Sequence, residues 1–272
     1  MISSKKILSI VLIVFLCISV LSVFGKKPSN KKVDTTQTIE GKYISFLGDS
    51  ITTYENYSNN SYYNSFIGSQ NTYYSKANFN VDNTYWMKTI ANLGVKLCVN
   101  NSEAGRMVTL NRSDIKCACE DVAQNLHNDR RKITPDIIVV YIGINDYRNG
   151  VKLGTFDGIN SIYDTSTKTY IGNQTEFADA YATMVHKMKS AYPKADIYLC
   201  TLEQYNTEIE SWNTVIKNIA SAFGCDIVDF YNRTSIDSSN LTNYTLDSLH
   251  PNVNGMKEMA RVLTERISKN YD

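Results

Sequence analysis

DIIVVYI, at Asp136–Ile142, is the most hydrophobic strand-like segment in the globular part of this sequence, and it runs directly into GIND at residues 143–146. An uninterrupted apolar run of strand length is typical of a parallel strand that helices cover on both faces. We therefore predict that residues 136–142 form the centre of a parallel sheet.

Short apolar segments and amphipathic stretches alternate on both sides of this central segment. Four further segments have the length and composition of strands: Tyr43–Leu47, Val95–Val99, Ile197–Thr201 and Asp226–Phe230. Four stretches carry apolar residues at helical spacing: Tyr85–Leu93, Phe177–Tyr192, Glu208–Phe223 and Gly255–Ile267. This alternation predicts a three-layer α/β/α fold, in which helices cover both faces of a five-stranded parallel sheet.

Four short polar motifs lie along the predicted fold, three of them at the ends of successive strands. They are Gly48-Asp49-Ser50, Asn101–Gly105 (NSEAG), Gly143–Asp146 (GIND) and Asp247–His250 (DSLH). Together they resemble the motifs of the SGNH (GDSL-like) hydrolase family, and the resemblance extends over about residues 42–269. It implies a flavodoxin-like SGNH hydrolase fold for a domain at residues 42–272, with the activity of a carboxylic ester hydrolase.

Ser50 is the predicted nucleophile of this site. A serine hydroxyl attacks poorly until a neighbouring base takes its proton, and His250 is the predicted base. Asp247 precedes His250 by three residues, so one turn of the chain can bring its carboxylate to the imidazole Nδ1. We therefore predict a Ser50-His250-Asp247 catalytic triad. No serine lies in a Gly-x-Ser-x-Gly elbow, which argues against an α/β-hydrolase.

The oxyanion of a tetrahedral intermediate needs fixed hydrogen-bond donors, and loss of one donor costs about 3–4 kcal/mol. In the family that the motifs resemble, the donors are the backbone N–H groups of the serine and the glycine and the side-chain amide of the asparagine. The resemblance assigns these roles to Ser50, Gly105 and Asn145. We expect Asp49 and Asp146 to hold the loops through hydrogen bonds in turns rather than to act as bases.

The other histidines and the cysteines indicate no second site. His127 and His186 accompany none of the four motifs, and we expect them to be solvated or packed. Five cysteines lie outside the N-terminal apolar run: Cys98, Cys117, Cys119, Cys200 and Cys225. The pair Cys117-x-Cys119 lacks a second pair of ligands at zinc spacing, so structural thiols are favoured over a metal site. With no phosphate-binding glycine loop either, the sequence predicts neither a cofactor nor a metal.

An N-terminal apolar run at residues 7–24, with lysines on both sides, predicts export across or into a membrane. Residues 1–25 would be a cleaved signal peptide or an uncleaved membrane anchor, and the sequence leaves both open. Residues 26–41 are polar and are expected to form a flexible tether. The predicted location is therefore secreted or membrane-anchored on the outer side of the cell membrane.

The charge composition limits the kinds of molecule that the protein could bind. The chain has 28 Lys and Arg against 27 Asp and Glu, a net charge of +1, which excludes the basic footprint of a nucleic-acid-binding protein. Two polar segments interrupt the alternation: Tyr54–Tyr85, which carries seven of the 19 tyrosines, and Asn149–Thr175. Both follow strand ends, where open α/β sheets bind ligands, so they are either binding loops or surface decoration.

The sequence as a whole predicts an esterase that cleaves short-chain (acetyl) esters on a small-molecule or polysaccharide carbohydrate. Export and the polar, tyrosine-rich segment favour a sugar, because a long acyl chain requires a groove lined by Leu and Phe. Three alternatives stay open: a lipase or lysophospholipase, an extracytoplasmic O-acetyltransferase, and a catalytically silent carbohydrate-binding protein.

Overall fold

A twisted parallel sheet forms the centre of the protein, whose computed structural model describes residues 38–54 and 80–271. The strands of the described chain are β1 (Tyr43–Gly48), β2 (Lys96–Asn100), β3 (Ile137–Tyr141), β4 (Tyr163–Asp164), β5 (Thr169–Tyr170), β6 (Asp196–Cys200) and β7 (Asp226–Val228). Five of them form the parallel sheet in the order β2-β1-β3-β6-β7, and β4 and β5 form a separate antiparallel hairpin.

The strand order confirms the predicted flavodoxin-like, three-layer arrangement. β3 lies in the middle of the sheet, and all five of its residues are buried, as its continuous apolar sequence predicts. The chain leaves β1 to form β2 on one side and then returns to form β3 on the other side. This reversal opens a crevice at the carboxyl ends of β1 and β3, where open α/β sheets bind their ligands.

Helices cover the sheet. The α-helices of the described chain are α1 (Tyr85–Leu93), α2 (Ile144–Arg148), α3 (Ile159–Ile162), α4 (Phe177–Ala191), α5 (Ile209–Phe223), α6 (Phe230–Arg233), α7 (Leu241–Tyr244) and α8 (Val253–Ser268). α8 packs against α1, and α4 packs against α5. The helices and strands share one apolar core, in which the largest buried aromatic side chains include Trp86, Tyr141 and Phe230.

Most observed elements differ from the predicted ones by one or two residues at an end, and capping side chains explain two of these differences. The last strand ends at Val228 rather than Phe230, because the Asp229 side chain accepts a hydrogen bond from Asn232 N and starts α6. Likewise, α8 begins two residues before Gly255, because the Asn252 side chain accepts hydrogen bonds from the backbone N–H groups of residues 254 and 255.

The predicted loop at Asn149–Thr175 contains regular structure, namely α3 and the β4–β5 hairpin. Most of the tyrosine-rich segment, residues 55–79, lies outside the described residues, as do residues 1–37 with the predicted signal or anchor and most of the predicted tether. No helix within residues 38–54 and 80–271 has the length and apolar character needed to span a membrane.

The central strand allows a direct test of the packing. Ile138 in β3 is fully buried, whereas Ile171 is 57% exposed. We expect Ile138→Ala to lower the free energy of unfolding by about 2–5 kcal/mol, because it removes buried methyl groups and leaves a cavity. The matched variant Ile171→Ala is expected to change it by less than about 0.5 kcal/mol. Urea unfolding followed by circular dichroism measures both, and equal losses would contradict the described core.

Candidate active site

Ser50 lies directly after β1, in a single 3-10 turn at Ser50–Thr52. Asp49 caps this turn, because its Oδ1 accepts a hydrogen bond from Ile51 N at 3.1 Å. Gly48 allows the tight turn, since a Cβ atom there would lie 2.3 Å from Thr52 Oγ1. The serine hydroxyl is therefore held at the carboxyl edge of the sheet, in a residue that is only 5% exposed.

The imidazole of His250 reaches this hydroxyl from a site 200 residues further along the chain. The distance from Ser50 Oγ to His250 Nε2 is 3.0 Å, and His250 is 8% exposed. With Nε2 unprotonated, the ring is placed to accept the hydroxyl proton. The structure thus brings the predicted nucleophile and the predicted base within hydrogen-bond distance.

Asp247 fixes the orientation of that imidazole. Its Oδ2 lies 2.8 Å from His250 Nδ1, while its Oδ1 accepts hydrogen bonds from Leu249 N at 3.2 Å and His250 N at 2.7 Å. The intervening Ser248 takes a left-handed conformation, with φ at +67°. The turn therefore holds the carboxylate in place through the backbone, which leaves one oxygen to accept the Nδ1 proton and set the tautomer.

Of the two other predicted site residues, Gly105 lies on the loop after β2, and Asn145 lies in the first turn of α2, just after β3. Asn145 Nδ2 donates to the carbonyl of Arg106 at 3.0 Å, which ties α2 to the loop that carries Gly105. Gly105 has φ at +75°, and its carbonyl accepts a hydrogen bond from Arg112 Nη1 at 2.8 Å. A side chain at this position would be strained and would meet Arg112, so glycine suits the site.

Asp146 holds the loop that carries Gly105. Its buried carboxylate accepts hydrogen bonds from Val108 N at 2.8 Å, Thr109 N at 3.0 Å and Thr109 Oγ1 at 2.7 Å. Burial raises the pKa of Asp146 to about 6, and these hydrogen bonds oppose the rise. The expectation that Asp146 holds a loop is therefore correct, but its partners lie on a neighbouring loop and not in its own turn.

Sequence reasoning did not single out Arg106, which is fully buried next to Gly105. Its guanidinium pairs with Glu103 at 2.9 Å and donates to the carbonyls of Asn101 and Lys116. Burial raises the pKa of Glu103, and the positive charge of Arg106 opposes this rise. Nothing in the sequence pattern distinguishes this arginine from an exposed one, because its burial results from the loop closing over it.

Sequence reasoning also missed Glu203, a fully buried acid beyond the end of β6. Its Oε2 accepts a hydrogen bond from Tyr141 and one from the Tyr205 hydroxyl at 3.4 Å, whereas its Oε1 has no hydrogen-bond partner among the described residues. The Tyr205 hydroxyl also lies 3.0 Å from the carbonyl of Leu249, next to His250. Burial raises the pKa of Glu203 to about 8 and that of Asp49 to about 7.

The remaining titratable groups form no further site in the part of the chain that the structure describes. His127 Nδ1 lies 2.8 Å from the hydroxyl of Tyr192, and His186 Nδ1 lies 2.9 Å from that of Tyr170. Within residues 38–54 and 80–271, no group of His, Cys, Asp and Glu side chains could hold a metal ion. The five cysteines of the described chain are unpaired, and all but Cys225 are buried.

Comparison with known proteins identifies the family. The family model for GDSL-like lipases and acylhydrolases matches residues 42–267, which is most of the chain. The protein therefore belongs to the GDSL-like lipase/acylhydrolase family, and it is an ester hydrolase. No curated protein matches the sequence.

Solved structures share the fold at low sequence identity. A protein from Bacteroides uniformis described as a GDSL-like lipase is 22% identical with a TM-score of 0.62, and the match covers 84% of this chain and 96% of that one. A similarly described protein from Bacteroides ovatus is 21% identical with a TM-score of 0.61, covering 85% and 99%. A family two carbohydrate esterase from Clostridium thermocellum, in complex with cellohexaose, is 18% identical with a TM-score of 0.52, covering 84% and 64%.

The buried Glu203 predicts how stability depends on pH. Because burial raises the pKa of Glu203 from its ordinary 4.5 to about 8, the folded protein holds a proton that the unfolded chain releases. This contribution is fully present below pH 4.5 and is lost as pH rises to about 8, at up to about 1.4 kcal/mol per pH unit. We expect Glu203→Gln, which cannot ionise, to become progressively more stable than the wild type between pH 5 and pH 8.

Urea unfolding at pH 5, 6, 7 and 8 measures this difference. Glu210→Gln, an exposed position on α5, is the matched control and is expected to follow the wild type throughout. A constant difference between Glu203→Gln and the wild type over this range would show that Glu203 does not titrate there.

Proposed function

We propose that the protein hydrolyses short-chain carboxylic esters through Ser50, with His250 as general base and Asp247 as its orienting acid. The observation that carries this proposal is the continuous hydrogen-bonded chain from Ser50 Oγ to His250 Nε2, 3.0 Å, and from His250 Nδ1 to Asp247 Oδ2, 2.8 Å. This is the geometry that nucleophilic catalysis by serine requires, with the base bound to the nucleophile and a third group bound to the base.

In the first half of the reaction, Ser50 Oγ attacks the ester carbonyl carbon while its proton passes to His250 Nε2. The imidazolium that forms is stabilised by the carboxylate of Asp247, which remains ionised. When the tetrahedral intermediate collapses, the C–O bond to the alcohol breaks and His250 returns the proton to the departing oxygen. The products of this half-reaction are the free alcohol and an acyl group on Ser50.

The negative charge on the carbonyl oxygen would be bound by the backbone N–H groups of Ser50 and Gly105 and by the side chain of Asn145. Asn145 uses one N–H bond of its amide on the carbonyl of Arg106, which leaves the other for the oxyanion. Because Asp146 and Arg106 hold the loop of Gly105 against α2, which carries Asn145, these donors would need little reorganisation as the charge develops.

In the second half of the reaction, a water molecule hydrolyses the acyl group on Ser50. His250 takes a proton from the water while the water oxygen attacks the acyl carbon. The bond from the acyl carbon to Ser50 Oγ then breaks, and His250 passes the proton to Ser50 Oγ. The carboxylic acid leaves and the starting state is restored. Side chains, backbone amides and water are sufficient for every step of this scheme.

We propose an acetyl ester on a carbohydrate as the substrate. Three observations support a sugar: the tyrosine- and asparagine-rich segment at Tyr54–Tyr85, the polar segment at Asn149–Thr175, and the carbohydrate esterase that shares the fold. The apolar run at residues 7–24 supports export, with residues 1–25 as a signal peptide or an anchor and residues 26–41 as a tether to the hydrolase domain. Such a location would bring the enzyme to extracellular polysaccharides.

Replacing the nucleophile tests the proposal most directly. We expect Ser50→Ala to reduce kcat for p-nitrophenyl acetate at least about 10⁴-fold, because no other hydroxyl takes its place. Asn145→Ala is expected to reduce kcat about 10²–10³-fold through the loss of one oxyanion donor. Ser190→Ala, at an exposed position near the end of α4, is the matched control and should retain full activity.

Circular dichroism of each variant shows whether the fold is intact. Full turnover by a folded Ser50→Ala variant would overturn the assignment of the nucleophile. Absence of turnover by folded wild-type protein on every ester would instead favour the carbohydrate-binding alternative.

Acyl-chain length tests the substrate class. We expect kcat/KM for p-nitrophenyl esters to fall from acetate to butyrate to decanoate, because a long chain needs an apolar groove and the two sequence segments that favour a sugar are polar. Steady-state kinetics on the three esters measures this order. A preference for decanoate would favour a lipase or lysophospholipase, and faster acetyl transfer to an added saccharide than to water would favour an acetyltransferase.

A further inference from the structure

A polar cleft of about 590 Å³ adjoins the segments that carry Gly105 and Asn145, because two of its lining residues, Arg112 and Asn149, donate hydrogen bonds to the carbonyls of Gly105 and Asn145. Its walls come from three segments: the loop after β2, the end of α2, and the chain just before α4. Met107, Asn111, Asn149, Val151, Lys152 and Glu176 are among the residues that line it. The catalytic scheme above uses none of these side chains.

Hydrogen bonds connect the lining of the cleft to the residues of the proposed oxyanion donors. Asn149 follows α2 one turn after Asn145, and its Nδ2 donates to the Asn145 carbonyl at 2.7 Å. Four residues of a helix span about 6 Å, so the two side-chain positions are neighbours. Met107, which also lines the cleft, is two residues from Gly105. The cleft would therefore be within reach of a group attached to an ester bound at Ser50.

The cleft offers both hydrogen-bond donors and acceptors. The side chains of Lys152 and Glu176 make no hydrogen bond or ion pair with any described residue. Asn111 uses both N–H bonds of its amide, on Thr109 Oγ1 at 2.8 Å and the carbonyl of Thr175 at 2.9 Å, which leaves its Oδ1 as an acceptor. Hydroxyl groups both donate and accept, so a polyhydroxylated ligand matches this set.

The charges in the cleft nearly cancel. Arg112, which lines the cleft, pairs with Asp114 and donates to the carbonyl of Gly105, so its charge is already compensated. Lys152 and Glu176 contribute one charge of each sign. Glu176 would repel an anionic ligand, and Lys152 would repel a cationic one. The near-zero net charge of the cleft therefore favours a neutral ligand.

The cleft also offers some apolar surface, which suits a sugar ring. Met107 and Val151 add small apolar patches to the polar walls, and sugar rings present C–H faces as well as hydroxyl edges. An acyl chain would need continuous apolar walls, which the asparagine, lysine and glutamate side chains interrupt.

We propose that this cleft binds a neutral sugar unit in the alcohol part of the ester, and that Lys152 and Glu176 hydrogen-bond its hydroxyl groups. This inference rests on the proposed esterase function, because it assigns the leaving-group subsite of the same reaction. It adds the part of the protein that selects the alcohol, whereas Ser50, His250 and Asp247 act on the ester itself.

A comparison of two substrates tests the subsite. p-Nitrophenyl acetate carries no sugar, whereas an acetylated methyl glucoside and an acetylated cellobiose carry neutral sugars. We expect the double variant Lys152→Ala/Glu176→Ala to raise KM for the acetylated sugars about 10-fold or more, through the loss of charge-assisted hydrogen bonds. Its kcat/KM for p-nitrophenyl acetate is expected to stay within about 2-fold of the wild type, since the variant leaves the ester-cleaving groups in place.

The matched control is Lys194→Ala/Glu210→Ala, which removes the same charges from exposed positions outside the cleft lining. It should behave as the wild type on all three substrates. An acetylated galacturonic acid adds a charge test, and a lower KM for it than for the glucoside would overturn the inference of a neutral ligand.

The outcomes separate the two proposals. If the wild type does not cleave p-nitrophenyl acetate, or if Ser50→Ala still does, the esterase mechanism is wrong. If p-nitrophenyl acetate is cleaved but the acetylated sugars are not, or if their KM is unchanged in the cleft variant, the mechanism stands and the subsite is wrong.

Discussion

The parallel pairing of β1 with β3, in register from Ile44 opposite Ile137 to Gly48 opposite Tyr141, positions the site. Parallel strands end at the same edge of a sheet, so the chain must turn away from both strands side by side. Ser50 and Asn145 lie in those two turns, each within four residues of its strand. β3 is buried on both faces, so a shift in the register of this pairing would also disrupt the core. The positions of the residues that follow the two strands are therefore fixed by the packing of the sheet.

The protein buries several ionisable groups close to that edge of the sheet. Desolvation makes each of them unfavourable unless hydrogen bonds or an opposite charge compensate it. The Arg106–Glu103 pair and Asp146 are compensated and fix the loop of Gly105, whereas Glu203 keeps one oxygen without a partner among the described residues. The uncompensated oxygen of Glu203 therefore lowers stability close to the turn that carries His250, and buried ionisable groups of this kind are common at functional sites.

The features that could be predicted from the sequence are those set by residues that are close together in it. The apolar run of β3 and the motifs around Ser50 and His250 depend on neighbouring residues, so they could be read without a structure. The end of β7 was placed two residues too late, because an Asp cap competes with apolar residues that suit a strand. The burial of Arg106 and Glu203 depends on how separate segments pack, as in the contact of Glu203 with Tyr141, 62 residues away in the sequence, and no local pattern encodes such burial.

His250 and Asp247 belong to one tight turn, in which Asp247 Oδ1 accepts a hydrogen bond from His250 N and Asp247 Oδ2 contacts His250 Nδ1. The proposed base and its orienting acid are therefore held together by local contacts, whereas the contact with Ser50 depends on the rest of the fold. The contact of 3.0 Å between Ser50 Oγ and His250 Nε2 joins two residues that are 200 positions apart in the sequence. The turn leads directly into α8, which packs on α1, so a displacement of α8 would move His250 and Asp247 away from Ser50 together.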